Sequence, residues 1–427
     1  MKIFAILLQI ITLLRFNFML KLNSEYCYER GIFMKFQEIK NNIFYCGLND
    51  CDRVIFDELI PLDNGTSYNS YLVKGSEKTA IIDTMYPPFI DEYVKNLDEN
   101  GVVKVDYIIA NHGEQDHTGA LPTLIKKYPE ALVVTNQTCK NNLMSMLFIP
   151  EERIKVISND EELSLGDKTL KFILAPNVHW PDTMFTYIVE DNVICTCDFL
   201  GAHYTFDDVF AVPSEELEKS AKKYYAEIMM PFRVMCKKYI QVIKDLNVDM
   251  ILPSHGPVHN EPNYILDLYT EWTSDLGKNL VLLPYVSMYG ATEEMINYLS
   301  DELNKKGIDT IKHDVITDNL GDLATALVDG TTIVMGTSMV LAGPHPASVN
   351  VAYIASVLKP KAKFASLVGS YGWGGKLFDL LADILGKLRL DIIEPIQVKG
   401  CLTKEDFKKL DNMVESIVEK HKSVGLL

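Results

Sequence analysis

Seven side chains of the types that bind transition metals occur in this sequence at intervals that suggest a two-metal site. They are His112, Glu114, Asp116, His117, His179, Asp198 and His255. Two metal ions need about this many protein donors, and one carboxylate can serve as a bridge between them. Glu114 adds a hard oxygen ligand in place of a nitrogen ligand, which shifts the preference of the site from zinc towards iron. The donor set therefore favours redox chemistry over hydrolysis.

Each part of this donor set follows a short apolar segment that predicts a β-strand. The segments are 107–110 before His112, 170–174 before His179, 193–197 before Asp198 and 250–252 before His255. Ligands at the ends of neighbouring strands can converge on one point although they lie far apart in the chain. Any one of these residues alone would more often be structural, so the prediction rests on the complete set.

The pattern of the first half of the chain predicts an αββα sandwich. Further short strands are predicted at 41–46, 70–73 and 80–82, and helices at 88–100 and 215–246. Strands that alternate with a few helices and end in polar ligands are typical of such a sandwich. We assign it to residues 34–262, followed by a linker at 263–278.

The second half, residues 279–427, has a different pattern. Apolar strands alternate here with amphipathic helices: strands 280–286, 331–335 and 364–368, and helices 293–306, 347–358, 377–385 and 404–421. This alternation predicts a doubly wound parallel sheet, in which ligands bind at the carboxyl ends of the strands. We therefore expect a second, separate α/β domain with its own binding site.

Three loops at the predicted strand ends in this half are rich in glycine and hydroxyl residues. They comprise Ser287, Met288, Tyr289, Gly290, Ala291 and Thr292; Gly336, Thr337, Ser338 and Met339; and Ser370, Tyr371, Gly372, Trp373, Gly374 and Gly375. Backbone amides and hydroxyls at a helix N-terminus can cradle a phosphate without a lysine. The missing Gly-Lys-Ser/Thr signature excludes a P-loop nucleotidase. The first loop alone could be an ordinary strand–helix turn.

Together, the His-x-Glu-x-Asp-His run, the later His, Asp and His, and the Ser-x-x-Gly-x-Thr loop resemble the flavodiiron proteins of the metallo-β-lactamase superfamily. The resemblance covers nearly the whole chain after Met34, with the sandwich first and a flavodoxin-like domain second. It implies a binuclear iron site and a bound FMN, with Tyr371 and Trp373 placed to stack on the flavin. The second loop departs from the family pattern, because Ser338 and Met339 replace its usual residues.

The resemblance also assigns roles to the donor residues. One iron would be held by His112, Glu114 and His179, the other by Asp116, His117 and His255, and Asp198 would bridge them. His203 and the adjacent Tyr204 match positions that line the substrate pocket. His259, His313 and His421 have no comparable context and are expected to be solvated.

The activity that the resemblance implies is reduction of O2 to water, or of NO to N2O, with electrons passed through FMN. Two electrons from an iron pair and two from a reduced flavin would complete the reduction of O2. The segment Val340–Pro346 and the run ending at Lys376 look most like the methanogen branch, which oxidises reduced coenzyme F-420. Other relatives take electrons from rubredoxin. The family assembles as a head-to-tail homodimer, and such dimers can pair into a tetramer.

Composition limits the alternatives. The net charge of −17 disfavours nucleic acid as a partner, and the eight cysteines contain no Cys-x-x-Cys pair of the kind that a rubredoxin-type iron site needs. A dizinc hydrolase and a simple flavodoxin-like electron carrier are the competing interpretations. Residues 1–33 include an apolar run too short to span a membrane. They favour initiation at Met34 and a cytoplasmic protein, with a signal or membrane-surface anchor as the alternative.

Overall fold

A computed structural model describes residues 36–427, so the predicted extension at 1–33 lies outside the described residues. The chain divides into two compact units. The first contains residues 36–221 and 238–268, and the second contains Lys222–Lys237 and Tyr269–Leu427. Among residues 36–427, no helix combines the length and apolarity that crossing a bilayer requires. The cysteines in this range are free thiols.

The first unit contains two main sheets and two short hairpin sheets. Its strands are β1 Gln37–Lys40, β2 Ile43–Tyr45, β3 Leu48–Asp50, β4 Ile55–Phe56, β5 Ile60–Pro61, β6 Thr66–Tyr68, β7 Tyr71–Lys74, β8 Thr79–Ile82, β9 Tyr107–Ile109, β10 Leu132–Thr135, β11 Ile154–Val156, β12 Glu162–Ser164, β13 Thr169–Leu174, β14 Met184–Ile188, β15 Val193–Cys197 and β16 Met250–Pro253. The seven-stranded sheet has the order β1-β2-β7-β8-β9-β10-β11, and the five-stranded sheet has the order β12-β13-β14-β15-β16.

Helices cover these sheets. They are α1 Ile90–Glu99, α2 Gln115–Thr118, α3 Leu121–Lys127, α4 Gln137–Met146, α5 Glu215–Tyr224, α6 Arg233–Leu246 and α7 Pro262–Trp272. One apolar core lies between the two sheets and includes Ile82 and Ile109 with Phe172 and Leu252. A second core lies between the larger sheet and helices α1, α3 and α4. Two facing sheets with outer helices confirm the predicted αββα sandwich.

The long helix predicted at 215–246 is not continuous, which corrects the sequence interpretation. After α5 the chain forms a π-helical turn at Tyr225–Met229 and a 3-10 turn at Met230–Phe232, and α6 begins only at Arg233. Pro231 lacks the backbone N–H that a continuous helix would use, and its ring crowds the preceding turn. The apolar stripe that suggested one helix therefore belongs to two.

The second unit is a doubly wound sheet, as predicted. Its strands are β17 Lys278–Tyr285, β18 Asp309–Asp314, β19 Gly330–Val340, β20 Gly343–Pro344, β21 Phe364–Tyr371, β22 Asp391–Ile392 and β23 Ile396–Lys399, and its helices are α8 Ala291–Lys305, α9 Leu320–Asp329, α10 Pro346–Leu358, α11 Asp379–Gly386 and α12 Lys404–Ser423. The parallel strands have the order β18-β17-β19-β21, followed by β22 and β23. This is the flavodoxin-like order, whose switch point lies between β17 and β19.

Candidate metal and flavin sites

The strand ends of the first unit bring the predicted metal ligands together. β15 pairs with β16 in parallel, so Asp198, directly after β15, and His255, two residues after β16, lie at the same edge of the sheet. β9 ends at Ile109 and leads into His112 and the short helix α2. His179 lies on the connection between β13 and β14. Four separate segments thus converge, as their positions after apolar strands predicted.

Four of the seven donors form a first group: His112, Glu114, His179 and Asp198, whose ligand atoms all lie within 4.8 Å of one another. His112 Nε2 is 3.1 Å from Glu114 Oε2. His179 Nε2 is 3.2 Å from Asp198 Oδ2. Such spacing is compatible with one ion bound at the centre of the group, since ligand bonds of roughly 2 Å place ligand atoms about 3 Å apart.

The remaining three donors, Asp116, His117 and His255, form a second group, whose ligand atoms also lie within 4.8 Å of one another. His255 Nε2 is 3.1 Å from Asp116 Oδ2. Asp198 also faces this group, because its Oδ1 lies 3.0 Å from His117 Nε2 and 3.3 Å from His255 Nε2. One oxygen of the Asp198 carboxylate therefore faces each group, which is the arrangement a bridging carboxylate requires.

Outer partners fix the ring orientation of two of the histidines and the backbone of a third. His112 Nδ1 is 2.9 Å from Asp182 Oδ1, and His255 Nδ1 is 2.6 Å from the carbonyl oxygen of Ser67. Both rings therefore direct Nε2 towards the donor groups, in the way that hydrogen-bonded metal ligands usually do. The carbonyl oxygen of His117 accepts hydrogen bonds from both the backbone N–H and the hydroxyl of Thr84.

The carboxylates of the site create a negative environment that favours binding of positive charge. The side chains of His112 and His255 are buried, and Glu114 and His179 are 25% and 14% exposed. Burial lowers the pKa of His112, but hydrogen bonds to Asp182 and Glu114 and the charge of Asp198 raise it to about 10. The pKa of His255 likewise rises to about 10, since Asp116 and Asp198 outweigh its burial.

The donor set fits a pair of divalent cations. The three carboxylates, Glu114, Asp116 and Asp198, carry three negative charges, which two divalent ions would neutralise while the imidazoles stay neutral. Buried Asp116 Oδ1 has no hydrogen-bond partner among residues 36–427. A buried carboxylate oxygen without a partner is costly, and a metal ion would satisfy it. Mixed carboxylate and imidazole donors suit iron, as the sequence predicted.

The predicted pocket residues lie in different surroundings. His203 is buried, with Nδ1 2.9 Å from Thr66 Oγ1 and its ring 5.3 Å from that of His255. The ring of Phe56, at the turn between β4 and β5, lies 4.1 Å from the His203 ring. Tyr204 is half-buried, and burial and nearby Glu216 raise its pKa. The structure thus places His203 beside the metal ligands, whereas Tyr204 faces Glu216.

Several residues that support the site escaped the sequence interpretation. Asp182 follows His179 by three positions, and Asp83, at the end of β8, accepts bonds from the backbone and side chain of Asn111. For Asp83, its position directly after a buried strand was the available signal, whereas Asp182 lies on a loop and gave none. The expectation that His259, His313 and His421 are solvated is wrong, since all three are buried. His421, for example, contacts Asn279 Oδ1 and Thr332 Oγ1 at 2.7 and 2.8 Å.

The three predicted flavin loops meet at the carboxyl edge of the second sheet. The hydroxyl of Thr292 lies 3.2 Å from Ser338 Oγ and 3.0 Å from Ser370 Oγ. Two corrections apply: Gly336–Met339 continue strand β19, and Ser370 and Tyr371 are the last residues of strand β21, instead of forming loops. The reason is that Thr337 and Ser338 pair in register with Gly369 and Ser370 of β21, and β20 pairs with the end of β19.

The first loop has the geometry of an open anion cradle. Gly290 lies at the N-cap of α8 with φ +90°, and a Cβ built on it would meet no atom within 4 Å. Its amide donates to Ser287 Oγ at 3.1 Å. Having no side chain, Gly290 leaves the first amides of α8 uncapped and available to a phosphate. Tyr289 and Trp373 are 94% and 66% exposed, so neither is a core aromatic.

Comparisons with known proteins agree with this arrangement. The family described as ODP family beta lactamase matches residues 66–256. The chain is 32% identical to a flavo-diiron protein of Clostridium acetobutylicum over 84% of this chain and 92% of that protein. It is 30% identical to a nitric oxide reductase of Moorella thermoacetica, over 83% and 90% of the two chains.

Two further matches differ in their named electron donor. A coenzyme F-420 H2 oxidase of Methanothermobacter marburgensis is 28% identical over 83% of this chain and 91% of its own. Among solved structures, a rubredoxin oxygen:oxidoreductase from Desulfovibrio gigas superposes with a TM-score of 0.87 at 25% identity, covering 91% of this chain and 99% of that one. The match extends over both units of the present structure.

Proposed function

The chain belongs to the flavodiiron family of oxidoreductases, and from that premise we propose that it reduces O2 to water with electrons that FMN receives from reduced coenzyme F-420. The observation that carries this proposal is the carboxylate of Asp198, which directs one oxygen to each of two buried donor groups. We further propose that the diiron domain spans residues 34–262 and the FMN domain 279–427, joined by 263–278.

Two iron ions, when bound, would supply electrons and open coordination positions for the oxygen substrate. The chain's own side chains would do the rest. Asp182 and the carbonyl oxygen of Ser67 keep the rings of His112 and His255 in the ligating orientation. The rings of Phe56 and His203 lie 4.1 Å apart, and the His203 ring lies 5.3 Å from that of His255, on one side of the donor groups. Residues that hold two ions in one cluster would let a single substrate molecule meet both.

The residues of the second unit would hold FMN by its phosphate and its ring. Ser287, Gly290 and Thr292 would bind the phosphate at the start of α8. Tyr371, the half-buried last residue of β21, and Trp373, exposed on the glycine-rich segment after it, would lie against the isoalloxazine ring. Stacking on an aromatic side chain contributes beyond buried area, about 0.5–1.5 kcal/mol for an aromatic pair. The flavin content of the purified protein, measured by its absorbance, tests this assignment.

A donor as anionic as reduced coenzyme F-420 needs a cationic contact near the flavin. Lys376 is fully exposed on the segment after β21, and its ammonium lies 3.0 Å from Asp379. His345 is less available, because its Nδ1 accepts the Ala347 N–H as the cap of α10. Lys361 is buried against the carbonyl oxygens of Glu271 and Trp272.

Replacement of Lys376 tests the donor assignment. We expect Lys376→Ala to raise the KM for reduced coenzyme F-420 while FMN content stays intact, since the side chain would contact the donor alone. Lys363→Ala is the matched control, because Lys363 precedes β21 and lies at the opposite end of the strand. An unchanged KM in the Lys376 variant would remove this lysine from the donor site.

The second candidate function is reduction of O2, or of NO to N2O, with rubredoxin as donor. The name of the Moorella relative favours NO as the substrate, and the name of the Desulfovibrio relative favours rubredoxin as the donor and oxygen as the substrate. Anaerobic reconstitution with iron and FMN, followed by measurement of O2 and NO consumption with each donor in turn, separates the combinations. Turnover with rubredoxin and none with reduced coenzyme F-420 would overturn our donor assignment. Metal analysis showing zinc in an active hydrolase would overturn the redox assignment.

We also propose a cytoplasmic, head-to-tail homodimer, able to pair into a tetramer, in which the flavin of one subunit serves the irons of its partner. Complementation tests this arrangement. Co-expression of two differently tagged subunits, one with Asp198→Asn and one with both Gly290→Asp and Thr292→Asp, whose carboxylates would repel the flavin phosphate, would restore activity to the mixed dimer because one intact flavin site then faces one intact metal site. Mixed dimers as inactive as either variant alone would contradict the arrangement.

A further inference from the structure

His259 is a buried histidine that contributes no donor atom to either metal group. Its side chain is 3% exposed, and its Nε2 lies 3.2 Å from the carbonyl oxygen of Leu200. Leu200 belongs to the turn 197–200, which follows β15 and carries Asp198. The ring therefore contacts the segment that presents the proposed bridging carboxylate, through a backbone carbonyl oxygen of that segment.

The turn 197–200 has an unfavourable backbone. Cys197 has φ +53° and Leu200 has φ +67°, so two non-glycine residues in four are left-handed. For L-residues this conformation costs roughly 1–2 kcal/mol each. Such a turn persists only where surrounding bonds hold it in place.

Each carbonyl oxygen of the turn has a hydrogen-bond donor. The carbonyl oxygens of Cys197 and Asp198 accept from the backbone N–H groups of Ser254 and Gly201 at 2.8 and 3.2 Å. Phe199 accepts from the Thr196 hydroxyl at 2.7 Å. The ring of His259 supplies the bond to the carbonyl oxygen of Leu200, which is the last residue of the turn and the second of its two left-handed residues. Removal of the ring would leave that buried carbonyl without its donor.

His259 is itself held by the segment that carries His255. Its backbone N–H donates to the Ile251 carbonyl at 3.0 Å, and the Ile251 N–H donates back at 2.9 Å. This pair closes the loop 251–259 around His255. The ring of His259 thus joins two ligand-bearing segments, whose ligand atoms Asp198 Oδ1 and His255 Nε2 are 3.3 Å apart.

The protonation state of the ring is consistent with a fixed role. Burial lowers the pKa of His259 to about 4, although the bond to Leu200 opposes this shift. The ring is therefore neutral at pH 7 and carries its proton on Nε2, which donates to Leu200. Nδ1 is buried and has no hydrogen-bond partner within residues 36–427. The side chain of His259 is therefore held by the hydrogen bond from its Nε2 to the Leu200 carbonyl oxygen.

We propose that His259 is a positioning residue that holds the 197–200 turn so that Asp198 can bridge two metal ions. This inference rests on the proposed metal site, but it is independent of the oxidant and of the electron donor. It predicts a loss of metal affinity through a residue whose side chain bonds to the backbone of the turn. Outer partners of metal ligands typically contribute 10–100-fold to affinity.

Metal titration of the whole protein tests the proposal. Metal-free His259→Leu, His259→Gln and His259→Asn would be titrated anaerobically with Fe²⁺, and bound iron counted. We expect His259→Leu to bind the second iron about 10-fold or more weakly. His259→Gln should keep near-normal affinity, since its amide nitrogen can reach the position of Nε2, whereas the shorter Asn should not. His313→Leu, which removes a buried histidine of the second unit, is the control.

A merely structural role would give a different pattern. It would lower the unfolding temperature of the metal-free His259→Leu protein without changing the extra stabilisation that iron provides. Equal iron binding by the Gln and Asn variants would overturn the proposal, even if the Leu variant failed to fold. Unaltered protein that binds no iron would overturn both this inference and the proposed function, whereas two bound irons in every variant would overturn only the inference.

Discussion

The metal ligands and the predicted flavin residues differ most in how far the protein itself completes their geometry. The imidazoles of His112 and His255 are buried, and each has an outer partner that fixes its orientation. By contrast, Tyr289 and Trp373 are mostly exposed, and Gly290 faces open space. The metal ligands are mostly buried in the αββα sandwich, whereas the predicted flavin residues lie at the exposed carboxyl edge of the second sheet.

The difference follows from the chemistry that each site would perform. A metal pair needs ligand atoms placed within a few tenths of an ångström, which requires rigid strands and supporting bonds. A flavin brings its own rigid ring and phosphate, so the protein needs only a cradle and accessible surfaces. We therefore expect substitutions at the metal site to have large, local effects, and substitutions at the cradle to have smaller effects on affinity.

Removal of the proposed bridge should have the largest effect. Asp198→Asn would lose the charge that attracts both ions and one of the two coordinating oxygens, so we expect iron affinity to fall by at least about 100-fold. Oxygen-reducing activity should be lost with it. FMN content should be unchanged, because the flavin residues belong to the second unit. Iron analysis and flavin absorbance of the same sample provide the measurement.

Asp249→Asn is the control for that substitution. Asp249 is an exposed aspartate of the same unit and lies 2.8 Å from Lys40 Nζ. Surface ion pairs contribute about 0–1 kcal/mol, so this variant should keep its iron. Full iron content in Asp198→Asn would show that the carboxylate is no bridge and that the metal site tolerates the loss of this ligand.

Asp182→Asn should have an intermediate effect. The Asp182 carboxylate accepts from the Gly113 N–H at 3.1 Å and Asn142 Nδ2 at 2.8 Å as well as contacting His112. An amide has one acceptor oxygen, so at least one of these bonds is lost and the imidazole is less firmly oriented. We expect iron to bind roughly 10–100-fold more weakly.

The matched control is Asp191→Asn, which alters another buried carboxylate of the same unit. Asp191 pairs with Lys168 and with Asn41, far from the donor groups. That variant should lose stability and keep its metal affinity. If both variants lost iron to the same extent, general destabilisation would explain the result and the orienting role of Asp182 would be wrong.

The sequence predicted the metal site well because strand ends dominate its geometry. His112, Asp198 and His255 each follow a buried apolar strand, and parallel pairing of β15 with β16 makes two of them neighbours. Asp182 was missed because a carboxylate on a loop resembles any solvated residue until its partner is known. His259 and His421 were misjudged for the same reason, since burial of a polar side chain depends on distant segments.

For the second unit, the sequence predicted the type of fold but not every strand and helix. Apolar strands alternating with amphipathic helices gave the doubly wound sheet, yet β18 and α9 were overlooked. Strand β18, with the sequence Asp-Thr-Ile-Lys-His-Asp, is mostly polar and lies at the edge of the sheet, so its hydrophobic pattern is weak. The extension of β19 through Met339 was also missed, because Gly336 suggested a turn whereas the parallel partner β21 decides the register.

Thr292→Val should weaken FMN binding moderately. The Thr292 hydroxyl links Ser338 and Ser370, and its loss removes bonds that hold the three segments together. A net hydrogen bond contributes about 0.5–1.5 kcal/mol, so we expect the Kd for FMN to rise by roughly threefold to tenfold. Iron content should be unaffected. Fluorescence quenching of FMN on binding gives the Kd.

Thr292→Ser preserves the hydroxyl and should restore most of the affinity. Thr325→Val serves as an outside control, since its hydroxyl bonds only to the Gly321 carbonyl within α9. An unchanged Kd in Thr292→Val would mean that the three segments keep their geometry without this hydroxyl. The flavin site would then be as preorganised as the metal site.

Gly290→Ala should have the smallest effect and is the sharpest probe of the open cradle. A Cβ at position 290 meets no atom within 4 Å, so its cost is the left-handed backbone alone, roughly 1 kcal/mol. Gly307 has φ +79° and equally open surroundings in the same unit. Gly307→Ala should therefore lose similar stability in thermal unfolding but keep its FMN affinity.

If Gly290→Ala raises the Kd for FMN and Gly307→Ala does not, the first amides of α8 contact the flavin phosphate. If both variants bind FMN equally well, position 290 affects stability alone, and the phosphate must be held elsewhere on the rim.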